Sequence, residues 1–249
     1  MFNLFSKSKT TSSTAKPDLS WLKTDMHSHL LPGIDDGSKD VETSISLIKG
    51  MMDLGYTKII TTPHVLWDMY RNTTEIILAK LDILRDAVKQ EGLAVEINAA
   101  AEYFLDDHVA GLLKNKEPLL TVSGKMVLVE FSLAYPSMSL KDMLFEMQMQ
   151  GYQPIIAHPE RYIYLENNKA FYDELKDLGC LFQLNLLSLG GYYGKSVQEL
   201  ANYLVKKSFY DLIGTDLHHS RHLDALHNPT LNTGLIKLND SGKIKNHLL

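Results

Sequence analysis

The sequence predicts an α/β fold in which parallel strands alternate with covering helices and close into a barrel, and three observations support this. Short apolar runs alternate with amphipathic helical segments about seven times, and no group of strands lacks intervening helices. His, Asp or Glu follows nearly every predicted strand, as expected where the carboxyl ends of barrel strands meet at one rim. The chain has 249 residues, 45% of them apolar, which suits a single barrel-sized domain.

The first predicted strand runs into the segment 24–37, which carries two histidines and ends in a polar turn. His27 and His29 are two residues apart, so in an extended backbone their side chains face the same side and can converge on one ion. Pro32 and Gly33, followed by Asp36 and Gly37, predict turns that return a carboxylate toward the histidines.

The next elements follow from hydrophobic periodicity. A helix is predicted over 41–54, because apolar residues recur at helical spacing and Gly55 follows. The strand 58–62 is β-branched and leads to His64. A second helix over 72–90 precedes the strand 95–101, which leads to Glu102.

The remaining elements repeat the same alternation. A short amphipathic segment, 109–113, precedes the strand 126–129, which ends at Glu130; the later strands deliver His158, Asn185 and Asp216. The other predicted helices are 139–150, 169–178 and 196–206, and the other predicted strands are 154–157, 180–184 and 210–215.

Composition limits the class of protein. The net charge of -5 and pI near 6.0 argue against a protein that binds a nucleic-acid backbone. Cys180 is the only cysteine, so no internal disulfide or thiolate-rich zinc cluster can form. It lies in an apolar run with no arginine a few residues later, so we interpret it as structural and exclude a thiol-based phosphatase.

Residues 1–18 are polar and Ser/Thr-rich, and we expect a flexible tail followed by one catalytic domain over 19–249. The tail has no apolar core long enough for export or for spanning a membrane. We therefore expect a cytoplasmic protein without stable membrane insertion.

The rim residues offer only nitrogen and oxygen donors, which suit Mn²⁺, Fe, Zn²⁺ or Mg²⁺. Their number exceeds what one ion takes, so two or three ions are expected. Such a cluster activates a water and holds the oxygens of a phosphoryl group. Arg161, three residues after His158, could bind phosphate, although a surface salt bridge is the alternative. The rim positions are His27, His29, His64, Glu102, Glu130, His158, Asp216 and His218.

Several motifs together resemble the polymerase-and-histidinol-phosphatase (PHP) superfamily. More narrowly, they are similar to its metal-dependent protein-tyrosine phosphatases from bacterial capsule and exopolysaccharide loci. The similarity extends from about residue 21 to about residue 222. The motifs are Asp25-Met26-His27-Ser28-His29, Leu31-Pro32-Gly33-Ile34-Asp35-Asp36-Gly37, Thr62-Pro63-His64, Val129-Glu130-Phe131, Ile156-Ala157-His158-Pro159-Glu160-Arg161-Tyr162 and Thr215-Asp216-Leu217-His218.

The resemblance implies a distorted (β/α)7 barrel of the PHP fold with three ions, of which Mn²⁺ is the first candidate. It implies one ion on His27, His29 and Asp216, and it assigns to Glu102 the bridge to a second ion. It also implies a second phosphate-binding arginine, for which Arg221 is the nearest candidate. The full implied ligand set is His27, His29, Asp36, His64, Glu102, Glu130, His158, Asp216 and His218, with Glu130 and His158 on the second ion and Asp36, His64 and His218 on the third.

The expected reaction is hydrolysis of phosphotyrosine in a protein by a metal-bridging hydroxide, without a phosphoenzyme. Arg161 would hold phosphate oxygens, and a metal or protonated His218 would assist the departing phenolate. By family analogy the substrate would be the tyrosine-rich tail of a bacterial tyrosine kinase. A small-molecule phosphatase of the histidinol-phosphatase type and a non-catalytic scaffold for a kinase are the alternatives.

Two further questions stay open at this point. The chain could form an oligomer. The aromatic residues near the rim suit either stacking on the phenyl ring of a substrate or burial in the core. These aromatic residues are Trp67, Tyr70, Tyr162 and Tyr164.

Overall fold

A computed structural model describes residues 15–135 and 139–249. All of its named strand pairings are parallel, and helices lie between most successive strands. The predicted alternation is therefore confirmed as a parallel α/β fold. Helices pack on the outer faces of the sheets through an extensive apolar core.

The strands form two sheets. One has the order β1-β2-β4, and the other has the order β3-β5-β6-β7-β8-β9. The strands are β1 (Thr24–Asp25), β2 (Lys58–Thr61), β3 (His64–Val65), β4 (Glu96–Ala99), β5 (Glu102–Phe104), β6 (Met126–Glu130), β7 (Gln153–Ala157), β8 (Leu181–Asn185) and β9 (Leu212–Gly214).

Most predicted helices begin and end within two residues of their expected positions, because the apolar spacing that predicts them corresponds to their buried faces. Asp40 caps the first helix by accepting a hydrogen bond from the Thr43 amide at 2.8 Å. The helices are α1 (Val41–Asp53), α2 (Thr74–Gln90), α3 (Asp107–Asn115), α4 (Leu140–Met149), α5 (Ala170–Asp177), α6 (Leu186–Leu189), α7 (Lys195–Lys207), α8 (Ser220–Leu226) and α9 (Asn232–Asp240).

Two predicted strands are each interrupted, which the sequence analysis did not anticipate. The run 58–62 ends as β2, and a further strand, β3, begins at His64 after Pro63. Proline has no N–H to donate to a neighbouring strand, so it interrupts regular pairing. The run 95–101 likewise ends as β4, and a further strand, β5, begins at Glu102, so Glu102 starts a strand rather than following one.

The two sheets meet through the segment after β1. Ser28 forms an isolated parallel bridge with Leu217, just beyond β9. The Thr62 amide donates to the Ser28 carbonyl at 2.7 Å, so the same segment also contacts the end of β2. This arrangement brings the carboxyl ends of both sheets together.

The amino-terminal tail was predicted over 1–18, and residues 1–14 lie outside the described residues. From residue 15 the chain contacts the domain. Pro17 is buried, and the Asn232 side-chain amide donates to the Ala15 carbonyl at 2.8 Å. Among the described residues, no helix combines the length and the apolar character needed to cross a membrane.

Candidate metal centre

All nine predicted ligands lie where the carboxyl ends of the strands meet. They form four overlapping groups, and within each group the donor atoms lie within 4.8 Å of one another. The groups are His29, Asp36, His64 and His218; His27, His29 and Asp216; His27, Glu102 and His158; and His64, Glu102 and Glu130.

The backbone holds His27 and His29 between the ends of two strands. The Asp216 amide donates to the His27 carbonyl at 2.7 Å, and the His29 amide donates to the Leu217 carbonyl at 2.9 Å. Both imidazoles are fully buried, and their Nε2 atoms are 3.3 Å apart. The pattern of two histidines one residue apart therefore places both rings at one point, as expected from the alternation of side chains.

Two glycines allow this close packing. A Cβ on Gly37 would lie 2.1 Å from the His29 carbonyl oxygen, and one on Gly214 would lie 2.5 Å from the Cβ of His27. Any larger residue at either position would displace a histidine-bearing segment.

The backbone is strained at two of the candidate ligands. His158, after β7, has φ 32° and ψ 57°, and Asp216, after β9, has φ 51°. Residues other than glycine adopt this left-handed region at a cost of about 1–3 kcal/mol, and they do so mainly at functional sites.

Glu102 lies at the centre of the cluster. Its Oε2 is 3.2 Å from His27 Nε2 and 3.1 Å from His64 Nδ1, and its Oε1 is 3.1 Å from His158 Nε2. Within residues 15–135 and 139–249, however, the buried Oε2 accepts no hydrogen bond. A buried carboxylate oxygen without a hydrogen bond is costly, and a divalent cation shared with the imidazoles would satisfy it. The donor set therefore fits a metal cluster.

Asp216 and Asp36 join His218 to the cluster from its buried and its exposed side. Asp216 Oδ1 lies 3.3 Å from His27 Nε2 and 3.5 Å from His218 Nδ1. Asp36 Oδ1 lies 3.6 Å from His64 Nε2 and 3.5 Å from His218 Nε2. The Asp36 side chain is 53% exposed, so this side of the cluster opens to the surface.

Residues that the sequence analysis missed orient the histidines. His27 Nδ1 is 2.8 Å from Gln183 Oε1, and His29 Nδ1 is 2.8 Å from Asp35 Oδ2. In each case the Nδ1 contact leaves Nε2 at the centre of the cluster, the usual arrangement of histidines that bind metal. Gln183 is the only polar residue in the run Leu181-Phe182-Gln183-Leu184, and that isolation was the available signal.

The carboxylates and imidazoles of the cluster shift one another's pKa values. Burial opposes ionisation of Glu102, but the charges of His27 and His64 outweigh it and hold the pKa of Glu102 well below its usual value. Burial and Arg161 oppose protonation of His158, yet contacts with Glu102 and Glu130 raise its pKa to about 9. Without metal, His158 therefore carries a proton that a bound divalent cation would displace.

The predicted division of the ligands among ions partly matches the observed groups. His27, His29 and Asp216 form one group, as expected for the first ion. His29 also joins the group expected for the third ion, while His158 and Glu130, expected to share the second ion, fall into separate groups that both contain Glu102. The division among ions stays a prediction.

The two predicted arginines lie in different environments. Arg161 lines a cavity of about 380 Å³ together with candidate ligands, and its Nη1 donates to Asp216 Oδ2 at 2.9 Å. Its salt bridge therefore joins it to the cluster rather than to a distant surface residue. Arg221 is exposed on α8 and is not among the residues lining the cavity, so its contact with phosphate stays a prediction. The cavity is lined by Asp36, His64, Glu130, Leu133, His158, Arg161, Tyr193, Asp216, His218, His219 and His222.

The aromatic residues divide between core and site. Tyr162 is fully buried and stacks on Phe131, so it belongs to the core. Tyr70 stacks on His64 with ring centroids 5.7 Å apart, next to the cluster. Trp67 stacks on His108 at 3.8 Å. The Tyr164 hydroxyl donates to the Ser132 carbonyl at 3.0 Å.

Cys180 takes no part in the site. It is buried at the start of the β8 region, and burial raises the pKa of its thiol to about 11. A thiol with that pKa is not a nucleophile near neutral pH.

The sequence model of the CpsB/CapC family, described as capsular polysaccharide synthesis, matches residues 23–238. The chain belongs to the CpsB/CapC family. The resemblance found from the motifs is thereby confirmed at the level of the family.

Individual relatives agree with this assignment. The chain is 31% identical to the tyrosine-protein phosphatase CpsB of Streptococcus pneumoniae over 200 residues, covering 78% of this chain and 82% of that protein. It is 27% identical to the tyrosine-protein phosphatase YwqE of Bacillus subtilis over 194 residues, covering 78% and 76%.

A solved structure supports the fold. Crystal structures of YwqE from Bacillus subtilis and CpsB from Streptococcus pneumoniae, described as unique metal-dependent tyrosine phosphatases, provide a match with a TM-score of 0.78 and 25% identity. The match covers 90% of this chain and 89% of the other. This CpsB/CapC protein therefore has a mixed α/β fold with a curled parallel sheet like that of YwqE and CpsB.

Proposed function

We propose that this CpsB/CapC protein is a metal-dependent protein-tyrosine phosphatase that acts in the control of capsule or exopolysaccharide synthesis. The observation that carries the proposal is the convergence of five histidines and four carboxylates in one cluster, beside a cavity that Arg161 lines. Relatives named tyrosine-protein phosphatases support the choice of substrate.

The cofactor in this proposal is a set of two or three divalent ions, with Mn²⁺ as the first candidate. The nitrogen and oxygen donors suit Mn²⁺, and Fe, Zn²⁺ and Mg²⁺ are the alternatives. When bound, such ions lower the pKa of a water and polarise phosphoryl oxygens. The ligands would be His27, His29, Asp36, His64, Glu102, Glu130, His158, Asp216 and His218.

Residues of the chain itself would orient the substrate. Arg161 stands in the cavity wall beside Asp216, where its planar fork can pair with phosphate oxygens and stabilise charge in the transition state. The cavity of about 380 Å³ falls in the range of sites that take small ligands, so a phosphotyrosine side chain fits its size class.

Departure of the phenolate would be assisted by a bound metal or, where Nε2 of His218 does not bind an ion, by protonated His218. His218 lines the cavity, and its Nδ1 lies 2.8 Å from the Asp216 carbonyl oxygen, which leaves Nε2 facing Asp36 at 3.5 Å. A ring held in this way can deliver a proton without first reorienting.

We also propose that the two sheets together correspond to one distorted seven-stranded barrel. β2 with β3, and β4 with β5, would each count as one interrupted strand, which leaves seven strands in all. The Ala100 amide donates to the Thr61 carbonyl at 2.9 Å, and the Glu102 amide donates to the Pro63 carbonyl at 3.1 Å. These bonds continue the parallel pairing across the interruption between β2 and β3 and across that between β4 and β5. The bridge from Ser28 to Leu217 supports closure of the barrel.

The physiological substrate we propose is the tyrosine-rich tail of a bacterial tyrosine kinase, by analogy with the family. The cytoplasmic location stays a prediction, and so does any oligomer.

The test is hydrolysis of a phosphotyrosine peptide by the purified full-length protein before and after chelation. We expect activity that chelation abolishes and Mn²⁺ restores, with little turnover of histidinol phosphate. Faster turnover of histidinol phosphate would favour the small-molecule phosphatase. Absence of hydrolysis with every candidate metal, together with binding of a kinase, would favour the scaffold.

A further inference from the structure

Arg161 is held on two sides before any substrate arrives. Its Nη1 donates to Asp216 Oδ2 at 2.9 Å, and its Cζ lies 4.6 Å from the centroid of the Tyr193 ring. The Arg161 side chain is only 23% exposed. A guanidinium over an aromatic ring at this distance gains both stacking and cation–π attraction.

Tyr193 is itself fixed by a buried residue. The Asn185 side-chain amide, at the end of β8, donates to the Tyr193 hydroxyl at 3.2 Å and to Asp216 Oδ2 at 2.8 Å. Asn185 is fully buried, and its Oδ1 accepts from the Leu187 amide at 2.9 Å. One network therefore anchors both the ring and the carboxylate that hold Arg161.

We infer that Tyr193 is a positioning residue for phosphate recognition, acting by holding the Arg161 guanidinium in the cavity wall. A free arginine must lose side-chain freedom when it binds a phosphate, whereas an arginine already held beside the cluster has lost most of it. This inference rests on the proposed phosphatase function, since it assigns Arg161 to the phosphate. It concerns a residue outside the candidate ligand set.

The adjacent residue provides a matched control. Tyr192 has the same side chain and meets Tyr193 edge to face, with ring centroids 5.1 Å apart. It is 44% exposed and does not line the cavity. Loss of an aromatic ring from this loop can therefore be separated from loss of the ring that contacts Arg161.

The experiment measures metal-loaded full-length protein with Tyr193→Leu, Tyr193→Phe or Tyr192→Leu. We expect Tyr193→Leu to raise KM for a phosphotyrosine peptide and the inhibition constant of inorganic phosphate together, by about tenfold. Tyr193→Phe keeps the ring but loses the bond from Asn185, so both constants should lie between those of wild type and Tyr193→Leu, whereas Tyr192→Leu should stay within about twofold of wild type. Metal content by elemental analysis should be unchanged in all three, which a merely disordered site would not show.

A double-mutant cycle makes the inference specific. In an Arg161→Ala background, Tyr193→Leu should cause no further rise in either constant, because the group it positions is absent. Tyr193→Met, which also removes the ring, replaces the leucine variant if that protein does not fold.

Three results would overturn the role of Tyr193. They are a Tyr193→Leu protein that matches Tyr192→Leu, a Tyr193→Phe protein as impaired as Tyr193→Leu, and an undiminished effect without Arg161. Absence of hydrolysis by the wild-type protein would instead refute the proposed function. Calorimetry of inorganic phosphate binding to the metal-loaded protein would still compare the Tyr193 variants in that case.

Discussion

The two halves of the candidate metal centre are built differently. We call inner ligands those whose side chains are almost completely buried, with exposure of 3% or less, and outer ligands those whose side chains are at least 13% exposed. The inner ligands are His27, His29, Glu102, His158 and Asp216; the outer ligands are Asp36, His64, Glu130 and His218.

The inner and outer ligands differ in burial and in the residues that orient them. Inner ligands have orienting partners such as Gln183 and Asp35, and two of them stand on strained backbone. Among the outer ligands, Asp36 is half exposed on a turn. A rigid, dry site binds an ion more tightly than a wet one on a turn, so the inner half should hold metal more firmly.

The largest effect should follow from changing Glu102, which contacts both halves. Glu102→Gln removes the central negative charge, so we expect metal loss from inner and outer ligands and a fall in kcat/KM of about 10³-fold or more. Elemental analysis and phosphopeptide kinetics would measure this. Glu199→Gln, at an exposed glutamate, serves as the control. Retention of full metal content by Glu102→Gln would contradict the shared position of this carboxylate.

The expected difference in metal affinity between inner and outer ligands can be tested by replacing one histidine from each half. After dialysis against a weak chelator, His64→Ala should retain metal on the inner ligands, whereas His27→Ala should retain less, with affinities differing by about tenfold or more. Titration of the wild-type protein with a chelator should show at least two release steps. Equal loss in the two variants would mean that the halves do not differ in strength.

A smaller effect is expected from the partner of His27. Gln183→Leu removes the acceptor of the His27 Nδ1 proton, so metal affinity should fall by about 10–100-fold. Competition with a fluorescent chelator measures this change. The control is Gln153→Leu, at a half-buried glutamine that donates to the Gly179 carbonyl. An unchanged affinity would show that packing alone orients His27.

The smallest effect should come from Cys180, which lies outside both halves. Because the pKa of its thiol is about 11, the thiol is protonated below that pH and only about 0.1% is thiolate at pH 8. Iodoacetamide at pH 8 should leave the native protein unmodified by mass spectrometry, and Cys180→Ala should keep kcat/KM within about twofold. Loss of activity on alkylation of the folded protein would instead support a mechanism with a thiol nucleophile.

Local sequence patterns were sufficient for most elements. The spacing of apolar residues placed α1 and α2 within two residues of their ends, and polar residues after apolar runs identified eight of the nine residues that converge at the rim. The ninth, Asp36, came from the predicted turn and the family resemblance. Both signals are local, because a helical face and a strand end are visible within a few residues of chain. The short helix α6 and the helices α8 and α9 were missed, since their patterns are weak or lie beyond the recognisable motifs.

By itself the sequence determined the alternation of strands and helices, the residue types at the strand ends and the absence of a usable thiol. Only the tertiary structure decided which donors share a group, that Gln183 and Asp35 orient the histidines, and that Arg161 rather than Arg221 lines the cavity. The physical reason is that these relations depend on distances between residues far apart in the chain. Such distances are set by how the strands pair and by where the backbone is forced into strain, and neither is encoded in a local pattern.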